Sequence, residues 1–240
     1  MSKVGDLLQQ GAKEFGISLD ARQIEQFASY SAMLIDWNKK FNLTAIVDPQ
    51  EIAVKHFLDS LTILNFHDVC LGAQVVDVGT GAGFPGIPLK IARPDISLVL
   101  LDSLRKRTQF LQAVVEQLSL AAVTVIHGRA EEAGHDEKYR AAFDLAVSRA
   151  VAPLATLAEY CLPFVRLGGY FIALKGPDIS GELADAQTAI TMLGGNNHGA
   201  RTFSLPVSGD ARSLVFIEHT APTPAQYPRK PGTPEKKPLR

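Results

Sequence analysis

A chain of 240 residues with 46% hydrophobic composition suffices for one large domain, or for a domain with a small extension. Its 24 basic and 25 acidic residues leave a formal net charge of -1, so bulk charge marks no polyanion partner and local charge must be read instead. Cys70 and Cys161 stand in no metal or redox spacing, which excludes a thiol-based metal or disulfide scaffold and fits a reducing cytosol. Both read as packing residues. The N-terminal stretch has no sustained apolar run and the longest apolar runs are strand-sized, so the expectation is a cytoplasmic chain, monomeric by default, with no bound metal and no membrane partner.

Residues 4–15 pattern as a short helix that Gly16 is placed to end. A second helix over residues 20–40 carries Phe27, Tyr30, Leu34, Trp37 and Phe41 at steps of three and four, a stripe expected to pack on the main domain. Lys39 and Lys40 follow its polar end and are candidate RNA contacts. Asp48, Pro49 and Glu51 have the pattern of a capping box with proline at the first helical position. The helix they open, to about residue 65, places His56 and Asp59 three apart on one face, within reach of each other.

Regular β-α alternation begins at residue 74. Strands are expected at 74–79, 97–102, 122–127, 143–147 and 170–174, with helices at 86–92, 103–120 and 153–165 between them and Gly168-Gly169 as a turn. Arg105, Lys106 and Arg107 crowd the start of the 103–120 helix against its macrodipole, an arrangement that a phosphate partner would explain. A polar helix at 181–193, a Gly/Asn loop and two alternating strands around 201–207 and 213–219 follow, the last two forming an antiparallel hairpin. The whole is an α/β fold: a mainly parallel, doubly wound sheet whose strand ends converge on one site. Residues 1–66 form a helical extension packed on the core, 67–220 the Rossmann-like domain, and 221–240 a basic tail. That tail holds six prolines, with Arg229, Lys230, Lys236, Lys237 and Arg240 against Glu235 alone. It is expected to be extended or disordered until something orders it, and to act as a nucleic-acid arm.

The most informative stretch is Val75-Val76-Asp77-Val78-Gly79-Thr80-Gly81-Ala82-Gly83-Phe84-Pro85-Gly86, a strand that ends in a glycine turn and opens a helix. Glycine suits such a turn because a Cβ would block positive φ and close approach to a ligand. The spacing is G-x-G-x-G, not the dinucleotide G-x-G-x-x-G, and Asp77 would repel a pyrophosphate while attracting a cationic ligand end. The pattern resembles motif I of class I S-adenosylmethionine-dependent methyltransferases. Asp102 ends the next strand roughly 20 residues on, where a ribose-binding carboxylate is expected.

Several further motifs resemble the bacterial small-subunit rRNA methyltransferase family RsmG, also called glucose-inhibited division protein B. They include Trp37-Asn38-Lys39, His56-Phe57-Leu58-Asp59-Ser60, Asp102-Ser103-Leu104-Arg105-Lys106-Arg107, Gly128-Arg129-Ala130-Glu131-Glu132, Ser148-Arg149-Ala150 and Lys175-Gly176. The resemblance implies methyl transfer from S-adenosylmethionine to N7 of one guanine in the 530 loop of 16S rRNA. It implies a cofactor site at Asp77, Gly79, Gly81 and Phe84, with Asp102 on the ribose, Ser103 and Leu104 near the adenine, Ala130 and Glu131 on the adenine edge, and Arg149 at the methionine end or the incoming guanine. Lys175 and the tail cations join the candidate RNA contacts. Guanine N7 has no proton to lose, so direct in-line transfer needs no general base and rests on positioning. The Asn/Asp-Pro-Pro-aromatic motif of exocyclic-amine methyltransferases is absent. A small-molecule methyltransferase, a nicotinamide dehydrogenase and a non-catalytic ribosome-binding factor are the competing readings.

Overall fold

The computed structural model describes residues 3–149 and 152–240. A seven-stranded sheet runs in the order β3-β2-β1-β4-β5-β7-β6. Five strands pair in parallel: β1 (Gln74–Val78), β2 (Ser97–Asp102), β3 (Val123–His127), β4 (Phe143–Arg149) and β5 (Val165–Lys175). The hairpin β6 (Gly195–Ser204) and β7 (Ala211–His219) closes one edge, β7 running antiparallel to both β5 and β6. The chain winds outward from β1 through β2 to β3, then returns to start β4 on the other side of β1. The crevice beyond the carboxyl ends of β1 and β4 is therefore the topological switch point, where open α/β sheets bind ligands.

Alternation along the strands divides the core in two. Val75, Leu98, Leu100, Leu145, Val147, Ile172 and Leu174 face the N-terminal helices α1 (Lys3–Glu14), α2 (Ala21–Phe41), α3 (Pro49–Ile52) and α4 (Asp59–Phe66), together with α5 (Gly86–Ala92) and α6 (Arg105–Gln117). Val76, Val78, Leu101, Ala146, Phe171 and Ala173 face α8 (Leu154–Cys161) and α9 (Ser180–Met192), which follow the single-turn α7 (Ala130–Ala133). Residues 3–66 thus complete one core and are not an appended module. Phe27, Tyr30 and Leu34 of the α2 stripe are fully buried, and Trp37 stacks at an angle on Phe41 and Phe110, 5.6 and 5.5 Å between centroids.

Several local expectations need correction. The capping box at Asp48 is half made: Asp48 accepts from the N–H groups of Gln50 and Glu51 (3.0 Å each), but Glu51 turns away to Lys55 Nζ, 2.6 Å. A closed box occurs instead at Asp20 and Gln23. The 153–165 helix stops at Cys161 and tightens to a 3₁₀ turn, because Val165 already belongs to β5. Gly168-Gly169 is an irregularity inside β5, where a Cβ on Gly169 would lie 2.7 Å from the Asp144 carbonyl. The Gly/Asn loop is the first half of β6. Cys161 is buried, but Cys70 is exposed.

The largest correction concerns the tail. Residues 221–240 are docked on the domain, with Thr223, Tyr227, Pro228 and Pro234 buried and a short helix α10 (Thr233–Lys236). Prolines lack N–H donors but keep their carbonyls, and the domain supplies donors for this segment. Arg140 donates to the carbonyls of Thr223 and Tyr227 at 2.8 Å each. His135 Nε2 lies 2.6 Å from the Pro228 carbonyl. The apparent free cation Arg229 donates from Nε and Nη2 to the fully buried Glu159, at 2.6 to 3.1 Å.

Candidate active site

The glycine turn is held from within. Gly79, Gly81 and Gly83 all have positive φ, at 68°, 63° and 101°. A Cβ on Gly83 would lie 2.5 Å from both Tyr30 Oη and Ile87 Cδ1. Asp77 is fully buried, and its Oδ2 accepts from Thr80 Oγ1 (2.6 Å) and from Gly86 N (2.8 Å), tying strand end, turn and helix start together. Its Oδ1 is buried without a hydrogen-bond partner. Burial raises the Asp77 carboxyl to about 7, against the lowering pull of Thr80 and the Gly86 amide.

The turn leaves no nest of amides for a pyrophosphate. Gly79 and Thr80 donate to the Leu101 carbonyl (2.9 and 3.1 Å), Gly81 donates to Asp102 Oδ2 (2.9 Å), and Gly83 and Phe84 donate to the Thr80 carbonyl (2.9 and 3.0 Å). The Asp77 carboxylate itself sits on the first amide of α5. Anion binding at a glycine turn needs those N–H groups and that helix end open, so the dinucleotide reading is disfavoured by hydrogen bonding as well as by charge.

Beside the turn a cleft with an empty volume of about 710 Å³ is lined by Gly79, Asp102, Ser103, Ala130 and Glu131, all expected there. Asp77, Gly81, Phe84, Leu104 and Arg149 do not border it. Gly81 and Leu104 serve it indirectly: their amides donate to Asp102 Oδ2 and Oδ1 (2.9 and 2.8 Å) and fix a carboxylate whose side chain is only 2% exposed. Arg107, expected as an RNA contact, instead lines the cleft from the first turn of α6 and lies 3.4 Å from Asp102 at the end of β2. Tyr160 and Glu235 also line it, and neither stands in a motif that points there. The Tyr160 hydroxyl is pushed up to about 12 by burial and the nearby carboxylates of Glu131, Glu235 and Glu159. The residues present fit S-adenosylmethionine: an oriented carboxylate suits ribose hydroxyls, and Glu131 suits an amino donor.

A second cluster stands at the ends of β4 and β5. The Arg149 guanidinium donates to Asp59 Oδ2 and to His56 Nδ1, 3.2 Å each, and to the Lys55 carbonyl at 3.3 Å. It lies 4.7 Å from the Phe84 ring centroid, and the His56 ring stacks on the same phenyl at 4.5 Å. His56 and Asp59 share a helix face as expected, but they meet through Arg149 and not directly. A guanidinium cannot accept a hydrogen bond, so toward Arg149 His56 Nδ1 is the acceptor; the Lys55 carbonyl stands 3.2 Å from the same nitrogen, and Nε2 lies 2.8 Å from Thr44 Oγ1. Burial, then the Arg149 charge, lowers the imidazole to about 3, and the ring is neutral. Burial also raises the Asp59 carboxyl and lowers Arg149, although each supports the other's charge. Lys55 and His56 stand on a π-helical segment, Ala53–Leu58, whose wider turn redirects side chains and often marks functional sites. Lys175 and Arg212 complete the pocket, Arg212 lying 3.5 Å from Asp59 Oδ1. Ala150 of the Ser148-Arg149-Ala150 motif lies outside the described residues.

The RNA candidates divide by exposure. Lys39, Lys40, Arg105, Lys106, Lys230, Lys236 and Lys237 are exposed. Lys39 approaches Asp36 at 3.3 Å, and Lys106 Nζ stands 5.7 Å from the Phe41 ring centroid. Lys175, only 9% exposed, is held by Glu182 (2.6 Å) and the Ala152 carbonyl (2.7 Å), and Arg229 by Glu159. Those two cations are paired with carboxylates, which sequence charge alone could not reveal because their partners lie on other elements.

This strand order, with a carboxylate-lined cleft beside a glycine turn, defines a Rossmann-like methyltransferase. A SAM dependent methyltransferase from Aquifex aeolicus superposes with a TM-score of 0.51 at 16% identity, covering 72% of this chain and 94% of that one. The family model described as rRNA small subunit methyltransferase G matches residues 23–210. Proteins named ribosomal RNA small subunit methyltransferase G from Alkaliphilus metalliredigens and Desulforamulus reducens are each 50% identical, over 98% and 97% of this chain and the same shares of their own lengths. The chain belongs to the rRNA small subunit methyltransferase G family. Among the described residues no helix is long and apolar enough to cross a membrane.

Proposed function

We propose that this small-subunit rRNA methyltransferase transfers the methyl group of S-adenosylmethionine to N7 of a guanine in the 530 loop of 16S rRNA, in line and without a general base, in the cytoplasm. The observation that carries the reading is the state of His56. It is the histidine of the second cluster, yet neither ring nitrogen is open: Nδ1 lies 3.2 Å from both Arg149 and the Lys55 carbonyl, and Nε2 lies 2.8 Å from Thr44 Oγ1. A group so committed serves to position, not to remove a proton, and guanine N7 presents a lone pair with no proton to remove.

The cofactor supplies an electrophilic methyl on a sulfonium. The chain's part is to hold and orient: Asp102, fixed by two amides, receives the ribose hydroxyls, and Ala130 and Glu131 border the adenine. Phe84 offers its face to Arg149 and His56, and this braced wall at the β1/β4 switch point orients the incoming base. N7 lies in a groove that side chains cannot read in A-form RNA, so the target is a loop base turned out of its stack.

The test uses small subunits from a strain lacking the gene, incubated with protein and methyl-labelled cofactor. The expected outcome is label in 16S rRNA at one guanine whose backbone then cleaves on borohydride and aniline treatment, the signature of an N7-methylated purine. Label that resists that cleavage would overturn the N7 assignment while leaving the rRNA methyltransferase intact.

A further inference from the structure

The C-terminal segment, whose proline-rich and basic sequence reads as a free arm, runs beside the cofactor cleft. Glu131 is 5% exposed, and its Oε1 accepts from the amide of Gly232, 2.9 Å. Gly232 turns there with φ of 78°, and Glu235, three residues on, lines the same cleft as Asp102 and Glu131. The turn is anchored on both sides. Upstream, Arg229 forks onto Glu159 and donates its own amide to the same carboxylate (2.8 Å). Downstream, Thr156 Oγ1 lies 3.2 Å from the carbonyl of the buried Pro234. Glu159 and Thr156 stand on α8, three residues apart and on one face.

We propose that residues 232–235 are the adenine-side wall of the cofactor cleft, held there by Glu131 and α8, and that the tail contributes to cofactor affinity and is not an RNA arm. A buried charge pair such as Arg229–Glu159 is costly to break from one side, so the segment stays docked in the resting protein. Glu235 adds an acceptor to a cleft that must recognise an amino-bearing purine, and the backbone at Gly232 fixes the Glu131 carboxylate that faces it. This inference rests on reading the cleft as the S-adenosylmethionine site.

Three proteins test it by calorimetry with S-adenosylmethionine and with 5′-methylthioadenosine, which keeps adenine and ribose but lacks the amino acid. They are the full chain, a truncation ending at Pro231, which keeps the Arg229–Glu159 pair, and the exposed-site variant Glu235→Ala. The truncation is expected to bind both ligands at least about tenfold more weakly, and Glu235→Ala several-fold more weakly, with circular dichroism unchanged. Because Glu235 is exposed, its variant decides the question even where the truncation misfolds. Unchanged affinity for both ligands in the variants, or tighter binding after truncation, overturns the proposal, whether or not rRNA affinity falls. Loss confined to S-adenosylmethionine also overturns it, since the wall would then lie at the methionine end. Failure of the full chain to bind either ligand would instead sink the reading of the cleft.

Discussion

The carboxyl edge of the sheet has two halves built on opposite electrostatic plans. Beyond β1, β2 and β3 the buried charges are carboxylates, Asp77, Asp102 and Glu131, each held by backbone amides of nearby loops. Beyond β4 and β5 stand two half-buried cations, Arg149 and Lys175, each held by a carboxylate from a helix, Asp59 and Glu182. The first half shapes backbone around a ligand: Asp77 and Asp102 are held by amides within 21 positions, and only Glu131 reaches a distant one, Gly232. The second half locks the N-terminal helices to the sheet through side chains, with partners up to 94 positions apart. Breaking the first should therefore cost cofactor binding, and breaking the second should cost fold and transfer together.

The largest effect is expected at Arg149. Arg149→Ala leaves Asp59 buried beside Arg212 alone, and removing one member of such a pair destabilises by about 3–5 kcal/mol. Urea unfolding should report that loss, and label transfer to small subunits should fall with it. Arg149→Lys keeps the charge but not the fork that spans Asp59, His56 and the Lys55 carbonyl, so it should recover stability in part and transfer hardly at all. Equal stability of wild type and Arg149→Ala would show that the two halves are not braced differently.

Asp77 comes next, and here the sign is set by burial. Its carboxyl in the fold titrates near 7, above the unfolded value of 3.8, so folding favours the protonated form. The contribution is full below the unfolded value and is lost as pH rises from about 4 to about 7, on the order of a few kcal/mol. His56 acts in the opposite direction: lowered to about 3, it stabilises above its ordinary 6.5 and that contribution fades as pH falls. The two slopes overlap, so the comparison of wild type with Asp77→Asn isolates the first. An Asn keeps an acceptor for Thr80 and Gly86, and its stability advantage should grow from pH 4 to pH 7. Superimposable profiles would place the Asp77 proton elsewhere.

A smaller loss is expected on the cofactor side. Asp102→Ala should weaken S-adenosylmethionine binding by about 1–3 kcal/mol through lost ribose hydrogen bonds, with unfolding stability changed less than in Arg149→Ala. Unchanged affinity in calorimetry would remove Asp102 from the ribose.

These expectations also separate what is legible in the sequence from what it hides. The parallel strands, the hairpin and the glycine turn follow from alternation and local spacing, and Asp102, Ala130 and Glu131 stand where strand ends put them. The Arg149 cluster is only half visible: each member can be named, but nothing in the spacing joins residues 44, 56, 59, 149 and 212. The π-helical segment that turns His56 inward has no period of its own to read. The tail misleads because prolines and cations read as solvent-seeking, while Glu159, the buried carboxylate that claims Arg229, reads as one acidic residue in an apolar helix.

The smallest effects belong to the exposed cations, and they test whether the RNA face begins where the half-buried cations end. Lys40, Arg105 and Lys106 stand where α2 ends and α6 begins, beside Phe41. Each replaced singly by Ala should leave cofactor affinity and stability unaltered, because none lines the cleft or the core. Each phosphate interaction removed should reduce the slope of log affinity against log salt by about 0.7 for a single-stranded target, so the triple variant should show roughly three times the single change. A Lys175→Ala variant should behave differently, losing stability with the bonds that Lys175 makes to Glu182 and the Ala152 carbonyl before any change in salt slope. If Lys175→Ala alone flattened the salt dependence while the triple variant kept it, the substrate phosphates would run over the β4–β5 pocket, and the exposed turn would be solvated surface.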